Sequence, residues 1–106
     1  MAWLSLIIAG LFEIAWAYSM KESAGFTRLW PSIVTVVLMI VSFVLLAYSM
    51  KTLPLGTAYA VWTGIGSVGA LVVGILLLGE STSALRMLAA VLIVSGLVLM
   101  KLSSPE

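Results

Sequence analysis

Glu13 is the residue whose position calls for chemistry. It stands inside the apolar run GLFEIAWA (residues 10–17), with Gly10 and Trp16 three residues to either side. That spacing puts all three on one face of a helix. Glu22 and Glu80 fall at polar turns and Glu106 in the tail, which leaves Glu13 as the acid well inside an apolar segment. Counted from Trp3 at 1.5 Å per residue, it lies about 15 Å deep, near the midplane of a hydrocarbon core about 30 Å thick. An ionised side chain at that depth costs about 2.5–3.5 kcal/mol on insertion scales unless water or a partner meets it. One reading is a protonated, structural glutamate hydrogen-bonded to another helix. The functional reading is an ion or proton pathway, and the surroundings favour it. Ala9, Gly10 and Ala17 leave space beside the carboxyl, and Trp16 offers a π face, a combination that suits a cation. The same depth arithmetic adds Ser42, about 12 Å from the Met50 end of its segment, with Trp62 at a comparable depth and Tyr59 one turn before it. Taken singly, each aromatic reads more readily as core or interface than as a ligand. Trp16 and Trp62, however, lie too deep for the interfacial belt to which Trp3 and Trp30 are assigned.

The elements that must position this layer follow from composition. Of 106 residues, 63% are hydrophobic and 8% charged, far from the quarter or so of charged residues in a soluble domain. Uncharged stretches of 22 residues (Arg28 to Lys51) and 28 residues (Lys51 to Glu80) exceed the ~20 that a span needs. The reading is an all-α membrane protein, one four-helix transmembrane domain over residues 1–106. The helices are expected at about 3–20, 32–50, 57–78 and 85–102, with Pro31 near the first turn of the second, where its missing N–H is harmless. SSPE (103–106) is read as a frayed tail. β-Barrel strands would need alternation that these runs lack. The first segment is expected to be a retained span: it has no basic leader region and carries a glutamate in its apolar part. Cysteine and histidine are absent from the sequence, which removes thiol and imidazole chemistry. No metal cluster or second buried acid points to an enzyme, and GIGSVG (64–69), inside an apolar span, is a packing segment rather than a phosphate loop. No basic run points to nucleic acid.

Basic residues nearly balance across the two faces. The N-terminus, Lys51 and Lys101 fall on one, and Lys21, Arg28 and Arg86 on the other. Orientation normally follows a Lys/Arg excess, so a near tie points to insertion both ways up. Four spans enclose little interior, and an inverted second copy is the natural partner. Gly66, Ala70 and Gly74 form a small-xxx-small face for close helix approach, Gly64 and Gly66 a candidate bend, and Ala89, Ala90, Ser95 and Gly96 a second candidate contact.

Together, the four spans, the glutamate of the first, GFTRLWPS (25–32) and PLGTAYAVWTGIG (54–66) resemble the small multidrug resistance family end to end. FEIAWA (12–17), WTGIGSVGA (62–70) and Lys101 are similar to its guanidinium-exporting subtype. The resemblance implies an antiparallel, dual-topology homodimer in the bacterial inner membrane that exchanges guanidinium for protons and needs no cofactor. It further implies that Glu13 is the shared proton and substrate site, with Ser42 hydrogen-bonded to its carboxylate. Trp16, Tyr59 and Trp62 would line the pocket, Gly10 would give clearance beside Glu13, Met39 and Phe43 would face a portal to the bilayer, and Gly64 and Gly66 would bend the third helix.

Those residue types fit the implied chemistry. Guanidinium is planar and donates a fork of hydrogen bonds that a carboxylate accepts pairwise, while tryptophan faces attract the cation. Export of lipophilic quaternary ammonium ions is the alternative within the same architecture, and a non-transporting subunit of a membrane heterodimer the alternative outside it.

Overall fold

The computed structural model describes residues 1–103, so the tail residues 104–106 lie outside it, while Ser103 closes the last helix. Four helices account for nearly all of it: α1 (Ala2–Glu22), α2 (Leu29–Ser49), α3 (Leu55–Leu78) and α4 (Ala84–Ser103). Each is long and apolar enough to cross a membrane. Every helix lies within three residues of its expected bounds. The largest difference is at α2, which starts at Leu29, because Pro31 is accommodated inside the first turn rather than ahead of it.

Short connections force neighbouring helices to run antiparallel. Between α1 and α2, Ala24, Gly25 and Phe26 all take positive φ (50°, 75° and 65°), a conformation that costs energy at the two non-glycine positions. Ser23, fully buried, holds this turn in place. Its hydroxyl donates to the Met20 carbonyl (2.6 Å) and accepts the Phe26 N–H (3.0 Å), and its carbonyl accepts the Thr27 (2.9 Å) and Arg28 (3.1 Å) N–H groups. Pro54 caps the start of α3, with Leu53 buried beneath it. Gly79 ends α3 in the left-handed conformation (φ 70°), where glycine carries no Cβ penalty.

The helices lie side by side in the order α2, α1, α3, α4, with α1 and α3 at the centre and only slight contact between α2 and α3. The result is a slab of 43 × 34 × 16 Å. Its core is Leu6, Ala9, Leu46, Ala58, Val61 and Trp62, where α1, α2 and α3 meet. Helix α4 packs chiefly on α3, touches α1 through Lys101 above the Trp3 ring, and buries no residue. The N-terminus and Lys51 line one cleft, while Lys21 and Glu80 line another; both pairings agree with the assignment of charges to opposite faces.

The small residues of α1 and α3 set how closely these helices approach. A Cβ on Gly10 would lie 2.7 Å from Cγ2 and 2.8 Å from Cβ of Ile65, so Gly10 gives clearance to Ile65 of α3. Ile14 fills the Cβ position of Gly69 in the same way. Gly10→Ala is expected to push α1 off α3 and cost about 1–3 kcal/mol of stability, read as a lower thermal unfolding midpoint in detergent. Gly56→Ala, where a Cβ meets nothing, is expected to leave the midpoint nearly unchanged.

Candidate functional site

Helix α1 carries Glu13 toward α3, and Gly66 receives it: the carboxyl group occupies the space where a Cβ at position 66 would stand. Gly66 itself is buried. Oε1 of Glu13 is shielded from solvent and has no hydrogen-bond partner among the described residues. A carboxylate oxygen in that condition forfeits its hydration without replacement. It is therefore the group in this layer that a proton, a cation or a donor from another chain would satisfy.

Ser42 does not supply that donor. Its hydroxyl proton goes to the Ala9 carbonyl (2.8 Å), and its oxygen accepts the Trp62 indole N–H (3.0 Å). The Ser42–Glu13 hydrogen bond that the resemblance implies is thus not formed within the chain, because a hydroxyl has one proton and the Ala9 carbonyl takes it. Instead, a buried relay runs from Trp62 on α3 through Ser42 on α2 to the backbone of α1. It fixes the Trp62 ring at the depth of Glu13. Sequence alone could not single out Ala9 as the acceptor, since a backbone carbonyl leaves no mark in residue type.

The aromatic residues form a row. Trp16 and Phe43 have ring centroids 6.2 Å apart at 76°, Phe43 and Trp62 5.7 Å apart at 57°, and Trp62 and Tyr59 5.7 Å apart at 45°. Edge-on and tilted arrangements of this kind are the favoured ones for aromatic pairs. The structure brings Phe43 against both tryptophans, so Phe43 joins the aromatic layer and links its two indoles. Trp62 is 7% exposed, whereas Tyr59 (54%) and Phe43 (46%) open onto the surface of the slab. Met39 is half-buried on α2. Of the small-residue stripe, Gly66 seats Glu13, Ala70 borders the cleft between α1 and α3, and Gly74 seats the Glu80 carboxyl. Helix α3 runs uninterrupted through Gly64 and Gly66, and Leu97 of α4 fills the Cβ position of Gly64. Near the other end, Lys101 lies 4.8 Å above the Trp3 ring, a cation–π contact. Among the described residues no group of three or more His, Cys, Asp or Glu side chains could hold a metal ion.

Four apolar helices around a deep, unsatisfied carboxylate define a multi-pass membrane protein with a polar site in its middle. The sequence profile of the Small Multidrug Resistance protein family matches residues 1–104. The guanidinium exporter of Citrobacter freundii is 59% identical over 104 residues, covering 98% of this chain and 99% of that one. The guanidinium exporters of Salmonella typhimurium (59%) and Escherichia coli K12 (57%) match over the same shares. The chain belongs to the small multidrug resistance family, and its spans make it a multi-pass protein of the bacterial inner membrane.

The relay makes a separate prediction. Ser42→Ala leaves the Trp62 indole N–H buried without an acceptor, at an expected cost of about 1–3 kcal/mol. In the Ser42→Ala background, Trp62→Phe is expected to add much less destabilisation than it does alone. Thermal unfolding of the two single variants and the double variant measures that coupling.

Proposed function

We propose that this protein exports guanidinium-type cations from the bacterial cell in exchange for protons. In this reading Glu13 binds proton and cation in turn. The observation that carries it is the Glu13 carboxyl seated on Gly66 with a buried oxygen that no donor among the described residues satisfies. The names of relatives 57–59% identical over nearly the whole chain support guanidinium as the substrate. The planar fork of guanidinium matches a carboxylate pairwise, and each indole face that meets it adds about 0.5–2 kcal/mol. Trp16, Tyr59 and Trp62 line this pocket, with Ser42 holding Trp62 in place. Met39 and Phe43 border the opening toward lipid.

A second, inverted copy completes the site. A slab 16 Å thick encloses no pathway of its own, and Glu13, Tyr59 and Phe43 lie where a facing chain would close over them. The bare apolar surface of α4 supplies a further contact, and the near balance of basic residues lets both orientations insert. Exchange of conformation between two identical chains, with α3 flexing near Gly64 and Gly66, then gives inward- and outward-open states of equal energy. Coupling follows from competition. If the dimer switches when protonated or loaded with cation but not when empty and ionised, protons entering drive cations out. No covalent step or cofactor enters this scheme.

Electrical current from reconstituted protein on a solid-supported membrane tests it. Guanidinium is expected to evoke a current that Glu13→Gln abolishes at every concentration. Because a proton and the cation occupy one carboxyl, the half-saturating guanidinium concentration is expected to rise as pH falls, approaching tenfold per unit where the protonated form dominates. A guanidinium current surviving in Glu13→Gln would sink the proposal. A response confined to tetraalkylammonium would assign the chain to quaternary ammonium export.

A further inference from the structure

Ile14, next to Glu13 on α1, borders a cleft of about 140 Å³ that is lined also by Ala17, Tyr18, Lys21, Ala70, Val73 and Glu80. The chain places Glu80 there by a specific fold-back. Gly79 turns the backbone into the left-handed region, and the Glu80 N–H then donates to the Gly74 carbonyl (3.0 Å). The carboxyl settles onto Gly74, where a Cβ would lie 2.6 Å from Cδ and from Oε1. Gly66 and Gly74, eight residues and about 12 Å apart along α3, thus each seat a carboxyl group, one deep and one at the mouth.

A carboxylate is poorly placed at the C-terminal end of a helix, where the backbone dipole presents negative charge. Arg86 offsets this: its Nη2 lies 2.9 Å from Oε1 of Glu80. The pair is incomplete. Nε of Arg86 is buried without an acceptor, and the pairing is carried by a single Nη2–Oε1 hydrogen bond rather than a two-pronged fork. The two side chains are 37% and 43% exposed, and an ion pair so exposed is weak and exchangeable. Lys21 adds positive charge to the same cleft, and Glu80 is the carboxylate among its lining residues.

We infer that Glu80 is a recognition residue at the mouth of the transport pathway, where an incoming guanidinium displaces the guanidinium group of Arg86 from the Glu80 carboxylate. The inference rests on the export of guanidinium proposed above. Arg86 acts as an internal copy of the substrate: it holds the carboxylate in position when the mouth is empty, through one hydrogen bond. A free guanidinium, untethered, presents its whole edge and makes two. In an inverted pair of chains each membrane face receives one such mouth. Glu80 then captures the cation at the membrane face, whereas Glu13 carries the exchange itself.

The test is the guanidinium concentration dependence of current from reconstituted full-length protein. Glu80→Gln is expected to raise the half-saturating concentration about fivefold, the scale of one exposed charge pair, with a much smaller change in saturating current. Arg86→Ala is expected to lower it, by relieving the competition, and to have no such effect in the Glu80→Gln background. Gly74→Ala, which displaces the carboxyl without removing it, is expected to act as Glu80→Gln does. If the pair only braces the α3–α4 turn, Glu80→Gln and Arg86→Ala will both depress saturating current and leave the half-saturating concentration alone; that result overturns the inference, as does an Arg86→Ala effect that persists without Glu80. The wild-type current and its loss in Glu13→Gln are read in the same preparations. A normal wild-type response with unshifted variants therefore rejects this inference alone, and absence of the wild-type response rejects both.

Discussion

The seating of the Glu13 carboxyl against Gly66 is the constraint from which the rest of the structure can be understood. A carboxyl group near the midplane of a bilayer must be met by protein, proton, cation or water. Here α3 gives it room instead of a donor: with no side chain at position 66, the carboxyl lies directly on the helix backbone, one oxygen buried and unpaired. Any larger residue at 66 would expel it, and a nearby hydroxyl or amide would satisfy it and blunt its demand for a ligand. Position 66 is glycine, and among the described residues no hydroxyl or amide bonds that oxygen. The cost of an unsatisfied acceptor is tolerated because the surrounding helices hold it in place, and that cost becomes affinity for whatever arrives to remove it.

The neighbouring residues keep that demand intact. Ser42 lies in the right layer to serve as a donor, yet its proton is committed to the Ala9 carbonyl and its oxygen to Trp62. Ser42 and the Trp62 N–H are thus spent on locking α1, α2 and α3 together and on orienting an indole, while the Trp16 N–H is buried without a partner among the described residues. Gly10 and Gly69 bring α1 and α3 close enough for the carboxyl to reach its seat, with Ile65 and Ile14 filling the gaps. Trp16, Phe43, Trp62 and Tyr59 form a continuous aromatic row, which in the proposed function supplies π surface on one side of the carboxyl. What the single chain leaves open is the other side, which a facing copy would close in the proposed dimer.

Much of this was legible from residue order, for physical reasons. Uncharged runs longer than a bilayer needs fix the number of spans, and charged or glycine-bearing turns fix their ends; the start of α2 moved only because proline is welcome within a first helical turn. Depth counting put Glu13, Trp16, Ser42, Tyr59 and Trp62 in one layer, since rise per residue is nearly constant. Partner choice was not legible. Whether the hydroxyl of Ser42 meets a carboxylate or a backbone carbonyl depends on helix rotation and on offsets of an ångström or two, which spacing does not encode. For the same reason the close approach of Ile65 to Gly10 was not legible from spacing. Glu80 read as a loop residue, and only the fold-back at Gly79 shows that its carboxyl returns to α3.

The central claim is that one carboxyl serves proton and cation alternately, and release of protons on binding tests it most directly. Detergent-purified protein in weakly buffered solution would be titrated with guanidinium near neutral pH while the free proton concentration is followed, with Glu13→Gln as the blank. The account predicts that wild-type protein releases protons as guanidinium binds, and that Glu13→Gln releases none. Saturable guanidinium binding to the wild type without proton release would contradict it.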